Sequence, residues 1–175
     1  DKGMIGGSIT DGMLVFLREH QSLAGPIVFA LGFAEGVPLL SWFVPSSTLF
    51  LAIGSIYGGL GGDVVSLVCS AAAGAVLGDC VTYAIGRLLK DDAPRVWPLS
   101  RHADWLPKAH AMFERWGILV ILGGKFLGFM RPLIPVVAGM LEMPIARFLL
   151  ASVISSFVWA GAFLVPSWGL GRLID

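Results

Sequence analysis

Two long stretches of this chain carry no charged side chain at all: residues 36–62 and residues 148–171. Each is long enough for a bilayer span of roughly 20 residues. A soluble helix of that length is rarely apolar all round. Over the whole chain 14% of residues are charged and 56% are hydrophobic, against about 25% charged in a soluble domain. The fold expected is an all-α integral membrane protein, a single membrane domain over residues 1–175.

The charges that remain are unevenly placed. Arg87, Lys90, Arg95, Arg101, Lys108 and Arg115 crowd one polar segment. The positive-inside rule makes that segment, residues 87–115, cytoplasmic. Net charge is zero, so no nucleic-acid partner is indicated. Cys69 and Cys80, if on one helix, stand about 16 Å apart, beyond disulfide reach. Residues 1–10 are Gly-rich, weakly apolar and without a basic n-region, so no cleavable signal peptide is expected. The start at Asp1 reads as the trimmed edge of a longer chain.

Along the chain a pattern occurs twice. Residues 10–22 are amphipathic, with Thr10 or Asp11 as a candidate cap, and suit an interfacial helix. Residues 23–59 are apolar but interrupted by Pro26, Glu35, Gly36, Pro38, Pro45 and Ser46–Ser47–Thr48. Proline removes a backbone donor and breaks a helix. The two arms left over, about 15 residues each, reach only about 22 Å as helix, short of a hydrocarbon core of about 30 Å. A re-entrant hairpin is the expected solution. The alternative is that residues 23–44 form a complete span. Residues 63–88 read as one full helix, with Gly74 and Gly78 making a small face for close packing. A polar loop over 90–103 follows.

The second half repeats the order. Residues 104–116 suit an amphipathic helix. Residues 117–143 form a broken pair of arms around Lys125, Gly128, Arg131, Pro132 and Pro135. Residues 144–165 give a last full span, with Trp159 and Trp168 as interface aromatics at its end. Glu35 and Pro45 match Lys125 and Pro135 at one offset, ninety residues. Repeat 1 is thus about residues 10–88 and repeat 2 about 104–165. Each holds one full crossing, an odd number, so the halves would be opposed in orientation, as in transporters with inverted repeats and broken helices.

Glu35, Asp79, Lys125 and Arg131 lie in or beside apolar segments. A charge at the bilayer centre costs about 2.5–3.5 kcal/mol on the insertion scale, so such groups face a partner or a cavity. A plainer reading puts Glu35 and Lys125 near the headgroups, snorkelling. The sharper expectation is that the hairpin tips meet and Glu35 faces both Lys125 and Arg131. An arginine fork and a lysine point charge suit phosphate oxygens, and helix starts at the breaks add dipole attraction for anions. Substrate contacts are therefore assigned to Glu35, Ser46, Ser47, Lys125 and Arg131, although helix capping is the favoured role for Ser46 and Ser47. Asp79, Tyr83 and Arg87 share a helix face at four-residue spacing and take coupling or structural roles. His20, His102 and His110 lack metal-ligand spacing. Neither G-x-S-x-G nor H-E-x-x-H occurs. No catalytic residue, metal or cofactor is assigned.

The segment Gly124-Lys125-Phe126-Leu127-Gly128-Phe129-Met130-Arg131-Pro132-Leu133-Ile134-Pro135-Val136-Val137-Ala138-Gly139-Met140 resembles the second-hairpin motif of the DedA family, also called SNARE-associated or VTT-domain proteins. Gly78-Asp79, Tyr83 and Gly86-Arg87 resemble its G-D-x-x-x-Y-x-x-G-R stretch. Glu35, Pro45 and Leu49 through Gly54 resemble its first hairpin, and Phe113 and Gly117 its F-x-x-x-G lead-in. The resemblance covers about residues 27–160. It implies two opposed re-entrant hairpins and lipid translocation, with the hairpin acid and bases carried over to Glu35, Lys125 and Arg131. It also implies a bacterial inner membrane location and membrane lipids with phosphate headgroups as partners; a homo-oligomer is left open. Three positions depart from the family pattern. Ser47 replaces an acid tied to proton coupling, Lys125 replaces an arginine, and Gly128–Phe129 replaces Pro-Gly. The leading expectation is a flippase or scramblase for a phosphate-headgroup lipid, an isoprenoid phosphate such as undecaprenyl phosphate first. The alternatives are an ion- or proton-coupled small-solute transporter and a non-transporting membrane scaffold.

Overall fold

A computed structural model describes residues 15–16, 19–41, 46–95, 104–127 and 131–174. Most of the amphipathic segment expected over 10–22, the tip residue Pro45 and the Gly128–Phe129 departure lie outside the described residues. The described residues contain helices and no strand. They are α1 (Ala24–Gly36), α2 (Pro38–Ser41), α3 (Ser46–Gly59), α4 (Val64–Leu88), α5 (Trp105–Gly124), α6 (Leu133–Met140) and α7 (Ile145–Ile174), with short 3-10 turns at Gln21–Leu23 and Lys90–Arg95. The latter begins the stretch expected to be a plain loop.

Two helices, Val64–Leu88 and Ile145–Leu173, are long and apolar enough to cross a membrane. Asp63 starts the first by accepting hydrogen bonds from Val65 N (3.3 Å) and Ser66 N (2.8 Å), which satisfies two of the orphan donors of a helix start. The second runs nine residues past the end expected at 165 and accommodates Pro166. Ser167 Oγ donates to the carbonyls of Phe163 (2.8 Å) and Leu164 (3.1 Å) there. By contrast α1 has 13 residues and α3 has 14, so each is only about 20 Å long. The boundary expected between the amphipathic segment 104–116 and the first apolar arm of the second half falls at Trp116, whose backbone (φ −130°, ψ 17°) kinks α5.

Packing fixes the chain directions. Asp79 meets Ser152, and Gly62 O accepts from Trp168 Nε1 at 2.8 Å, so α4 and α7 run antiparallel. α1 lies on α4 and α3 on α7. Gly32 sits against Ala71 and Gly36 against Gly78, so α1 runs alongside α4 in the same direction. Gly74 and Gly78 hold that contact: a Cβ at either would overlap the carbonyl oxygens of Phe29 or Phe33, the close approach that a small-residue face provides. α5 lies on α7, and α6 on α4. The first arm of each broken segment therefore packs on the long helix of its own half, and the second arm on the long helix of the other half. The ends of α1 and α5 and the start of α6 converge at the level of Asp79 and Ser152.

The core has two parts. One gathers Val28, Phe50, Ile53, Leu67, Ala71, Trp159 and Leu164. The other gathers Tyr83, Ile121, Ala138, Met143 and Phe148. Trp159 is 3% exposed, with its ring edge-on to Phe50 at 5.0 Å. That corrects the expectation of an interface anchor: Trp159 stands mid-helix, buried under the charged cluster.

Candidate functional site

Between the two core clusters lie four charged side chains, Glu35, Asp79, Lys125 and Arg131, each at most 5% exposed. Their elements explain the placement. Glu35 is the penultimate residue of α1, Lys125 caps the C-terminal end of α5, and Arg131 precedes the start of α6. Asp79 lies within α4.

The four form two ion pairs. Arg131 Nη1 pairs with Glu35 Oε2. Its guanidinium carbon stands 3.8 Å from the centroid of the Trp159 ring, a stacked cation–π arrangement suited to a desolvated arginine. Among the described residues, Arg131 Nε and Nη2 have no hydrogen-bond partner. Lys125 behaves differently. Its Nζ lies 2.6 Å from Asp79 Oδ2, donates to Ser156 Oγ and reaches the Ser152 carbonyl at 3.4 Å. All three ammonium donors are used. Asp79 Oδ2 also accepts from Ser152 Oγ at 2.6 Å, while Asp79 Oδ1 has no hydrogen-bond partner among the described residues.

The expectation that Glu35 faces both bases is thus corrected for Lys125, which Asp79 engages from the neighbouring long helix. Asp79 anchors the end of α5. Tyr83, one turn on, is a second anchor: its hydroxyl donates to the Met143 carbonyl at 2.5 Å, and its ring stacks on Phe148 at 4.4 Å. Arg87 Nη1 donates to Tyr83 Oη at 3.1 Å and stands 3.9 Å from Glu142. Ser46 and Ser47 open α3. Ser47 is exposed there; the side chain of Ser46 lies outside the described ones.

Sequence reasoning missed Ser152, Ser155 and Ser156, all 0% exposed. The signal was present: Ser152 and Ser156, four residues apart, put hydroxyls on one face of a charge-free run. Such a hydroxyl must find a partner when buried. The buried Trp159 was also missed as part of the site. Among the described residues no group of three or more His, Cys, Asp or Glu side chains could hold a metal ion.

Outside this cluster, Glu142 closes α6 in the left-handed conformation (φ 53°). Its N–H reaches the Gly139 carbonyl and Met143 N–H the Ala138 carbonyl, both at 3.0 Å, the pairing of a Schellman ending. Lys90 Nζ lies 2.9 Å from Glu142 Oε1. That hydrogen bond holds the Glu142 carboxyl below its ordinary range and the Lys90 ammonium above its own.

The VTT domain model matches residues 44–168. The chain is 27% identical over 160 residues to the inner membrane protein YabI of Escherichia coli (strain K12), covering 91% of this chain and 63% of YabI. It is 31% identical over 144 residues to the inner membrane protein YghB of the same organism, covering 82% of this chain and 65% of YghB. It is 36% identical over 129 residues to a membrane protein of Mycobacterium tuberculosis (strain CDC 1551 / Oshkosh), covering 71% of this chain and 55% of that protein. The chain therefore spans somewhat under two thirds of the length of these curated relatives. No solved structure matches. Relatives named as inner membrane proteins and two long apolar helices are consistent with a bacterial inner membrane. With the domain match covering most of its length, this chain belongs to the VTT-domain, or DedA, family of membrane proteins.

Proposed function

We propose that this protein translocates a phosphate-headgroup lipid across the membrane. The observation that carries the reading is the Arg131 guanidinium: buried, stacked on Trp159, paired to Glu35, and with Nε and Nη2 lacking a hydrogen-bond partner among the described residues. A buried arginine with unused donors is costly to keep. An arriving phosphate would repay that cost through a bidentate contact, the strongest geometry available to a guanidinium. In the empty state the Glu35 carboxylate stands in for that phosphate. Lys125 is the second base, and reaches the headgroup only by leaving Asp79.

The proposed translocation includes a route. Each broken segment, 24–59 and 105–140, dips into the bilayer from one side and returns: α1 and α3 are each too short to cross, and α5 is broken at Trp116 into shorter pieces. The two segments enter from opposite sides, as an inverted repeat. Glu35, Lys125 and Arg131, beside the two breaks, are buried in protein, as polar groups at that depth must be. Rocking of one segment against the other carries the headgroup from one side to the other while the tail stays in lipid. Residues 87–115 face the cytoplasm. An isoprenoid phosphate such as undecaprenyl phosphate heads the list of cargoes by family analogy, with phospholipids next.

The test is flipping of labelled lipid phosphates in proteoliposomes by wild type, Arg131→Ala and Lys125→Ala, with folding checked in each. Movement by wild type that is lost in both variants supports the mechanism. A variant as fast as wild type removes its base from the mechanism. Transport of a water-soluble anion without any lipid movement replaces the lipid reading by a small-solute one.

A further inference from the structure

The kink at Trp116 opens a second feature of α5, away from the buried ion pairs. Between the kinked stretch and the turn that joins α6 to α7 lies a groove of about 460 Å³, a volume within the range of small-molecule clefts. Its floor is apolar, with Phe113, Gly117, Leu141 and Met143 among its lining residues. Trp116 and Leu119 line it while remaining 51% and 56% exposed.

The charges at its rim are not equivalent. His110 and Glu114 pair with each other at 3.3 Å, and Glu142 is engaged by Lys90 and Arg87. Arg115 and Arg147 also line the groove, and neither has an acidic partner among the described residues. Arg115 stands 5.5 Å from the ring centroid of Trp116. Arg147 sits in the first turn of α7, where an acid, not a base, would favour the helix. Helix stability therefore does not explain it. Two guanidiniums without an acidic partner among the described residues, over an apolar floor, complement an amphiphile with an anionic head. The rim adjoins the basic segment 87–115, the side on which anionic lipids attract basic residues.

We propose that this groove is a docking site for one anionic phospholipid, with its phosphate on Arg115 and Arg147 and its acyl chain along Trp116 and Leu119. The inference rests on the lipid-transport reading for its purpose, a waiting position for cargo on the basic side, but not for its test. Purified protein is titrated with dihexanoyl phosphatidic acid, dihexanoyl phosphatidylcholine or inorganic phosphate. The signal followed is the part of the intrinsic fluorescence change that Trp116→Phe removes. Phosphatidic acid should give a saturable Trp116 signal in the wild type. Binding should weaken roughly 10- to 30-fold in Arg115→Gln/Arg147→Gln, the loss expected of two surface cations facing an anionic lipid. Both arginines are exposed, so the double variant should fold. An unchanged affinity in that variant overturns the proposal, as does equal binding of phosphatidylcholine or of inorganic phosphate. No flipping is measured, so a failure of the transport reading leaves a positive result standing, and a flipping protein with no Trp116 signal sinks only the groove.

Discussion

The two buried ion pairs share a chemistry and differ in how completely they are satisfied. At Asp79–Lys125 every donor of the ammonium has a protein partner, two of them supplied by the serine face of α7. At Glu35–Arg131 the support is a tryptophan face, and two guanidinium nitrogens have no hydrogen-bond partner among the described residues. A buried ammonium with every donor engaged resists rearrangement, because leaving its partners strands polar groups in a medium that cannot solvate them. A pair with spare donors has something to offer an incoming anion. On the proposed reading the comparison divides the labour: Asp79–Lys125 holds the end of α5 on the long helices in the empty state, and Glu35–Arg131 is the first to meet the cargo.

The largest effect should come from breaking the joint. Lys125→Met leaves the Asp79 carboxylate buried with its ammonium removed, which costs about 3–5 kcal/mol. Unfolding in detergent should show that loss, and the double variant Asp79→Asn/Lys125→Met should recover much of it. A single variant as stable as wild type would erase the distinction between the pairs. Next in size, Ser156→Ala removes a hydrogen bond to a charged group and should lower stability by about 1.5–3 kcal/mol, with transport per folded molecule retained. Trp159→Phe tests the other pair. It keeps an aromatic face under Arg131 but a weaker one, so stability should fall by only about 1 kcal/mol. Flipping should change more than it does in Ser156→Ala. The reverse ranking of these two variants in transport would exchange the roles of the two pairs.

Much of this arrangement was legible in the sequence because its signals are local. Charges are rare in apolar runs, so Glu35, Asp79, Lys125 and Arg131 stood out, and all four are buried. The ninety-residue offset pairs Glu35 with Lys125, and each ends the first arm of its half. The helix 64–88, its Gly74 and Gly78 face and the break at Trp116 follow from spacing and small residues. What local pattern does not encode is which base meets which acid. Lys125 and Arg131 are six residues apart and Glu35 lies within reach of the same tip region, so the choice of Asp79 depends on α5 packing along α7 rather than on any spacing. Ser152 and Ser156 count as nearly neutral in a hydropathy average. Their meaning appears only once Lys125 is placed beside them. Trp159 suits an interface as well as a core, since an aromatic with a polar edge serves both, and its burial follows from α7 continuing to Ile174.

A third pair, Lys90–Glu142, lies outside the buried site and sharpens the comparison from the other side. Both side chains are substantially exposed, so the pair is screened and its effect should be the smallest of the set. Its work is local, steadying the left-handed Glu142 that ends α6. The sign of its pH dependence follows from the directions of the shifts. Glu142 is held below its ordinary 4.5 by the Lys90 hydrogen bond, so its contribution is present above that value and is lost as the pH falls through the lowered one. Lys90 is held above its ordinary 10.5, so its contribution is lost only as the pH rises past that range. Between those limits the turn should be insensitive to pH. Protection from hydrogen exchange at the Glu142 and Met143 amides, whose bonds close the turn, should fall on going from pH 5 to pH 3. In Glu142→Gln that fall should vanish. An identical fall in that variant would place the titrating group elsewhere and remove Lys90–Glu142 as the lock on the turn.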